Sequence, residues 1–323
     1  YSKWSYSQEI ELNTTPGGSY VSDDVLNFPV LVRLNPGNFS YFSQTLAGGA
    51  DIRFAKADGT HLSHEIERWV DNAGNVDTAE IWVKVDTVYG NNSTQKLYMF
   101  WGKSDAVDSS NSSAVFGTGN NFSAAWHLNE DGNETALDAT SANNDGTANN
   151  FTTFSDVSGV IGIAREFDGS DDYFQINNNI IEEVLSGGNE KTTLSLWVKA
   201  DNTDYLKILI WEGSSKANGS GPEQELHLSF GALESGSGID DYITLYFGDQ
   251  NDHAEGGDMV HASEAYKDIV NWHHVAVSVD NSNGQSETAI LYVDGVPVDT
   301  YTGTVQSNFK RWNTNTRIGR PRQ

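Results

Sequence analysis

The chain has 323 residues, enough for two domain-sized cores or one large sandwich. Its 45 Asp and Glu against 19 Lys and Arg give a formal net charge of −26 with no basic stripe, which excludes nucleic acid and anionic membrane as partners because phosphate would be repelled. The absence of cysteine removes disulfides and thiolate metal sites, so a chain outside the cell would rely on packing and on hard cations, calcium before zinc.

The opening residues, YSKWSYSQEIEL, lack the charged and apolar segments of a secretory signal. No stretch is apolar over the length that crosses a bilayer, so membrane insertion is not expected and any signal or anchor would lie outside this sequence. ADGT at 57–60 reads as a hairpin turn, and AEIWVKVDTV places Ile81, Val83 and Val85 on one face of a half-buried strand. The polar, small-residue stretch 104–122 is the expected boundary, dividing the chain into 1–120 and 121–323. NNIIEEVLSGG, near 178–188, is the one segment that could form a couple of helical turns. Alternation returns with Leu194, Leu196 and Val198, then with Val275, Val277 and Val279, and VDGV at 293–296 is a second hairpin signal. With no long helical segments between strands, the expected class is all-β, in sandwiches or barrels. Asn-x-Ser/Thr sequons, including Asn38, Asn92, Asn111, Asn121, Asn133, Asn150 and Asn218, are frequent in a chain rich in those residues and by themselves do not establish glycosylation.

GGADIRFAKADGTHLSHEIERWVDNAGNVDTAEIWVKVDTV (48–88), followed by KLYMFWGK (96–103), resembles the family called domain of unknown function 2341. From about Phe122 the chain resembles the laminin-G-like, concanavalin A-like jelly rolls, through AAWHLNE (124–130), LDATSANNDGT (137–147), AREFDGSDDYFQI (164–176), TTLSLWVKA (192–200), NWHHVAVSVD (271–280), AILYVDGVPV (289–298) and RIGRP (317–321). Together they imply two tandem β-sandwiches, the second a concanavalin A-like jelly roll, as in secreted or surface-attached microbial proteins. The resemblance also implies a first strand at AAWHLNE and a last strand after RIGRP. The sequence stops before the second: either the C-terminus has been trimmed or cleaved, which is the plainer expectation, or an open edge flanks AAWHLNE and could accept a strand from a neighbouring chain or a downstream segment.

REFDGSDDYFQI gathers Asp168, Asp171 and Asp172 at a strand entrance, either as oxygen ligands for calcium or only as turn formers. The resemblance puts Asp138 and Asp145 in the same domain, as donors that would complete the shell. A second acidic run, GDQNDHAEGGD (248–258), lacks the ladder of an EF-hand and is expected in a loop at a sheet end, where ligand selectivity resides. Glu223, Glu225 and His227 alternate on one strand, but the carboxylate pattern of jelly-roll glycosidases is absent, so no catalytic residue is expected. His61 and His64 would point to opposite faces, against zinc. Among the aromatics, Trp69, Trp82, Trp101, Trp126, Trp197 and Trp272 are expected to be structural, while Trp211, Tyr205, Tyr242, Tyr266 and Trp312 lie nearer strand ends. The expected ligand residues are therefore Trp211, Tyr242, Asp249, Asp252 and Tyr266, in a calcium-stabilised, non-catalytic extracellular module for carbohydrate binding and adhesion. A structural subunit of a surface fibre or long adhesin is the alternative, and a polysaccharide hydrolase the third.

Overall fold

A computed structural model describes residues 1–71, 76–151, 156–181, 191–200, 207–213, 224–230, 243–249, 258–261, 270–280, 287–303 and 315–320. The chain forms two compact units, Tyr1–His127 with Asp138–Asn143, and Leu128–Leu137 with Asn144–Gln323. The sequence reading placed the division at 120/121. The first unit runs on to His127 and takes back Asp138–Asn143, and Leu128, the first residue of the second, has a positive φ of 56°.

The first unit is built from β1 (Tyr6–Leu12), β2 (Val25–Leu34), β3 (Arg53–Lys56), β4 (His61–Leu62), β5 (His64–Val70), β6 (Thr78–Val88) and β7 (Gln95–Trp101). They pair as a four-stranded sheet, β1-β7-β3-β4, and a three-stranded one, β2-β6-β5. Ile81, Val83 and Val85 are fully buried, packed with Phe54, Leu97 and Met99 from the facing sheet, as the period of two requires. Asp51 is fully buried, yet its carboxylate accepts the amides of Leu46 at 2.7 Å, Gly102 at 2.6 Å and Lys103 at 3.1 Å, so its charge is met by backbone dipoles. On the other face of β5 and β6 lie Glu65, Glu67 and Trp82. A short helix, α1 (Ser112–Val115), capped by Asn111 and not anticipated from the sequence, belongs to a segment whose Phe116 packs on Trp82 with Phe122 against Phe116. His127 presents Nε2 to Glu65 at 3.2 Å and Nδ1 to Glu67 at 3.5 Å.

That placement corrects the expectation for AAWHLNE. Residues 124–130 form no strand; Trp126 makes only an isolated bridge to Asp138, while the His127 side chain is engaged by the first unit's own sheet.

The second unit contains β8 (Gly146–Asn149), β9 (Asp156–Ser158), β10 (Ile163–Arg165), β11 (Tyr173–Ile176), β12 (Lys191–Val198), β13 (Lys207–Gly213), β14 (Gln224–Phe230), β15 (Ile243–Asp249), β16 (Asp258–His261), β17 (His273–Asp280), β18 (Glu287–Val293), β19 (Val296–Gly303) and β20 (Arg317–Arg320). One sheet runs β16-β15-β14-β13-β20-β11-β8 and the other β12-β17-β18-β19, with β9 and β10 as a separate pair. Leu226, Leu228, Phe230, Ile243 and Leu245 from the larger sheet meet Val275, Val277, Val279, Leu291 and Val293 from the smaller one. Each such side chain contributes about 1.5–3 kcal/mol by leaving water. Asp294 and Gly295 both have positive φ, 51° and 78°, the backbone a primed two-residue hairpin needs. The Asp294 carboxylate bonds His273 Nδ1 at 2.7 Å and accepts the His274 amide at 2.9 Å, so both histidines lock this turn. Of the helical segment expected near 178–188, only 178–181 lie within the described residues.

Candidate metal and ligand site

Between β10 and β11 the chain turns through Glu166–Asp172. Phe167 points inward against Phe151 and Phe174, which holds the turn to the sheet and leaves Asp168 outside. Gly169 supplies a positive φ of 72°, and Asp168 Oδ1 accepts the amides of Ser170 at 2.7 Å and Asp171 at 3.3 Å. Turn formation accounts for Asp168. It does not account for Asp172, which is 5% exposed, accepts the Asp168 amide on Oδ2 at 2.9 Å and leaves Oδ1 buried with no hydrogen-bond partner among the described residues. Burial raises the Asp172 carboxyl above the ordinary carboxylate range, and the neighbouring Asp168 and Asp171 push the same way.

Oxygens of Asp168, Asp171 and Asp172 lie within 4.8 Å of one another, the one such acidic or histidine grouping among the described residues. An all-carboxylate set suits calcium or another hard cation and gives three of the six to eight oxygens calcium takes. A cation among them would neutralise the repulsion and give the orphaned Oδ1 a ligand.

Asp138 and Asp145 are not in this group. Asp138 belongs to the first compact unit, and its carboxylate is occupied by the Ala125 amide at 3.0 Å, the Thr140 amide at 2.9 Å and the Thr140 hydroxyl at 2.7 Å. It clamps two strands of chain.

The expected ligand residues fare differently. Trp211 is 4% exposed and lies inside β13, not at a loop. Tyr205, Tyr242, Asp252, Tyr266 and Trp312 lie outside the described residues, as does Glu223; of Asp249 and Glu225 only the strand backbone is described. His227 is buried on β14, opposite Trp211. Trp197, expected to be structural, is 42% exposed, because the alternation that turns Leu194, Leu196 and Val198 inward turns it out.

The residues that sequence reasoning missed line the outer face of the seven-stranded sheet. Phe174 and Ile176 are fully buried, so Tyr173 and Gln175 face outward and remain half-buried. Arg317, paired with Gln175 in the ladder, lies with its guanidinium carbon 4.8 Å from the Tyr173 ring centre and 5.5 Å from that of Trp211. Its Nε donates to Gln175 Oε1 at 2.9 Å. Thr147 and Asn149 extend the face as the register partners of Gln175 and Tyr173. Further along the sheet, Ser229 and Thr244 stand opposite each other, buried, with hydroxyls that find no hydrogen-bond partner among the described residues. The accessible part of the face thus combines a half-buried ring, a guanidinium, amides and the exposed Thr147.

The fold defines an all-β protein of two sandwiches. Residues 48–161 match the family described as Domain of unknown function (DUF2341), and residues 168–323 match the Concanavalin A-like lectin/glucanases superfamily, Laminin_G_3. This is the order the quoted motifs imply. No curated protein matches the chain. Among the described residues no helix is long and apolar enough to cross a membrane.

Proposed function

We propose that the chain is a non-catalytic, extracellular module for carbohydrate binding and cell-surface adhesion, with calcium at Asp168, Asp171 and Asp172 stabilising the second sandwich. The observation that carries the glycan reading is the outer face of the seven-stranded sheet, where the half-buried Tyr173 ring stands beside Gln175 and Arg317 in a domain similar to lectins and glucanases. The calcium reading rests on the buried, unpartnered Oδ1 of Asp172 beside two further carboxylates. A glycan array probed with and without calcium tests both. Binding that weakens on chelation is the expected result; an array without a single saccharide ligand rejects the glycan reading.

One observation favours a second reading, assembly by strand addition. Among the described strands β12 pairs only with β17, and its Leu194 and Leu196 are only partly buried beside the exposed Trp197. A strand supplied by a neighbouring chain would cover that edge, as in a surface fibre or long adhesin.

A further inference from the structure

Arg317 has one of its five N–H donors on Gln175, while its Nη groups meet no carboxylate and no other hydrogen-bond acceptor among the described residues. Other arginines spend these groups within the fold: Arg68 on the Glu80 carboxylate at 2.7 and 2.9 Å, Arg53 and Arg165 on backbone carbonyls. Arg317 is instead steadied by uncharged groups: the Tyr173 ring at 4.8 Å, the Trp211 ring at 5.5 Å and the Gln175 amide. The stacking fixes a planar fork, and the geometry that results matches a two-oxygen anion. We infer that the saccharide held on this face carries a carboxylate, and that Arg317 is the residue that reads it. The net charge of −26 works against a densely sulfated chain, leaving an oligosaccharide with an isolated hexuronate as the class that fits. The Thr147 hydroxyl and the Asn149 amide would take its hydroxyls, while Gln175, bonded to Arg317 and to the Ile176 carbonyl, holds the guanidinium in place.

This inference rests on the glycan reading above, and the test separates the two. The intact chain is probed at fixed calcium on an array of neutral, sulfated and hexuronate-bearing oligosaccharides, the last also as methyl esters. The expected ligands are hexuronates, and esterification, which needs no protein variant, weakens binding about tenfold or more. Arg317→Gln is expected to lose the preference for acid over ester, and Arg317→Lys to recover only part of it, because an ammonium lacks the fork. A preference kept in full by Arg317→Gln would mean that calcium or another group reads the carboxylate, and overturns the inference. Equal binding of acid and ester, or ligands that are all neutral or all sulfated, overturns it while leaving the glycan reading intact. An array with no ligand at all overturns both.

Discussion

His64 gives the first unit a pH dependence that can be worked from its surroundings. The side chain is 1% exposed, packs against Phe54 with ring centres 5.6 Å apart, and has no hydrogen-bond partner on either ring nitrogen among the described residues. Burial lowers its pKa from 6.5 to about 4, with the positive charges of Arg53 and His61 adding to the effect and Asp108 opposing it. The folded state therefore holds His64 neutral, while the unfolded chain takes up a proton once the pH falls below 6.5. Stability is fully present above that value and is lost as the pH falls towards about 4. At about 1.4 kcal/mol per pH unit the whole loss is about 3 kcal/mol, of which about 2 kcal/mol is gone by pH 5. The assay is urea unfolding at pH 7 and pH 5, followed by hydrogen exchange in peptides from β5 and β6 so that the first unit is read by itself. His64→Phe keeps a ring in the slot and cannot titrate, so the variant should lose about 2 kcal/mol less than the natural chain over this interval. An equal loss in both proteins would refute the assignment of that pH dependence to His64.

Asp51→Ala should lower the first unit's stability by about 3–5 kcal/mol, since three part-buried amides lose the buried carboxylate that accepts them; a urea midpoint that barely moves would contradict this. Asp172→Asn should raise the melting temperature in chelator, where it removes one of three crowded carboxylates, and should abolish the upward shift that calcium gives. Gly319→Ala should destabilise the second unit by about 1–3 kcal/mol, because φ is +69° and a Cβ would stand 2.6 Å from the Phe167 ring and 3.0 Å from the Asp172 carbonyl; calorimetric melting reads it, and calcium binding should weaken with it. If β12 accepts strands, sedimentation should show oligomers that grow with concentration and that a Lys at Leu196 suppresses.

The strands were legible wherever alternation was clean. AEIWVKVDTV and HHVAVSVD fixed which residues face inward, and the same rule applied to TLSLWVKA would have exposed Trp197 had the aromatic not been assumed structural. Trp211 was not legible, because KILIWEG is apolar without alternation and its register shifts between Ile208 and Ile210. AAWHLNE was expected as a strand only through the family resemblance, and the positive φ at Leu128 and the carboxylates around His127 are facts that no local pattern carries. The acidic turn was visible from its spacing. That Asp172 is buried and Asp138 already bonded depended on contacts from distant segments. Tyr173, Gln175 and Arg317 were within reach: they alternate with Phe174, Ile176 and Ile318, which the same period turns inward. Only the sheet order, which sets β20 between β11 and β13, brings them together.

Calcium titration by calorimetry, on the natural chain and on Asp172→Asn, tests most directly whether the strand entrance at 168–172 is completed by a cation. Saturable binding of calcium to the natural chain, accompanied by a higher melting temperature and absent from the variant, is the predicted result. No saturable heat, with a melt unchanged by chelator, would leave the acidic turn as turn geometry alone.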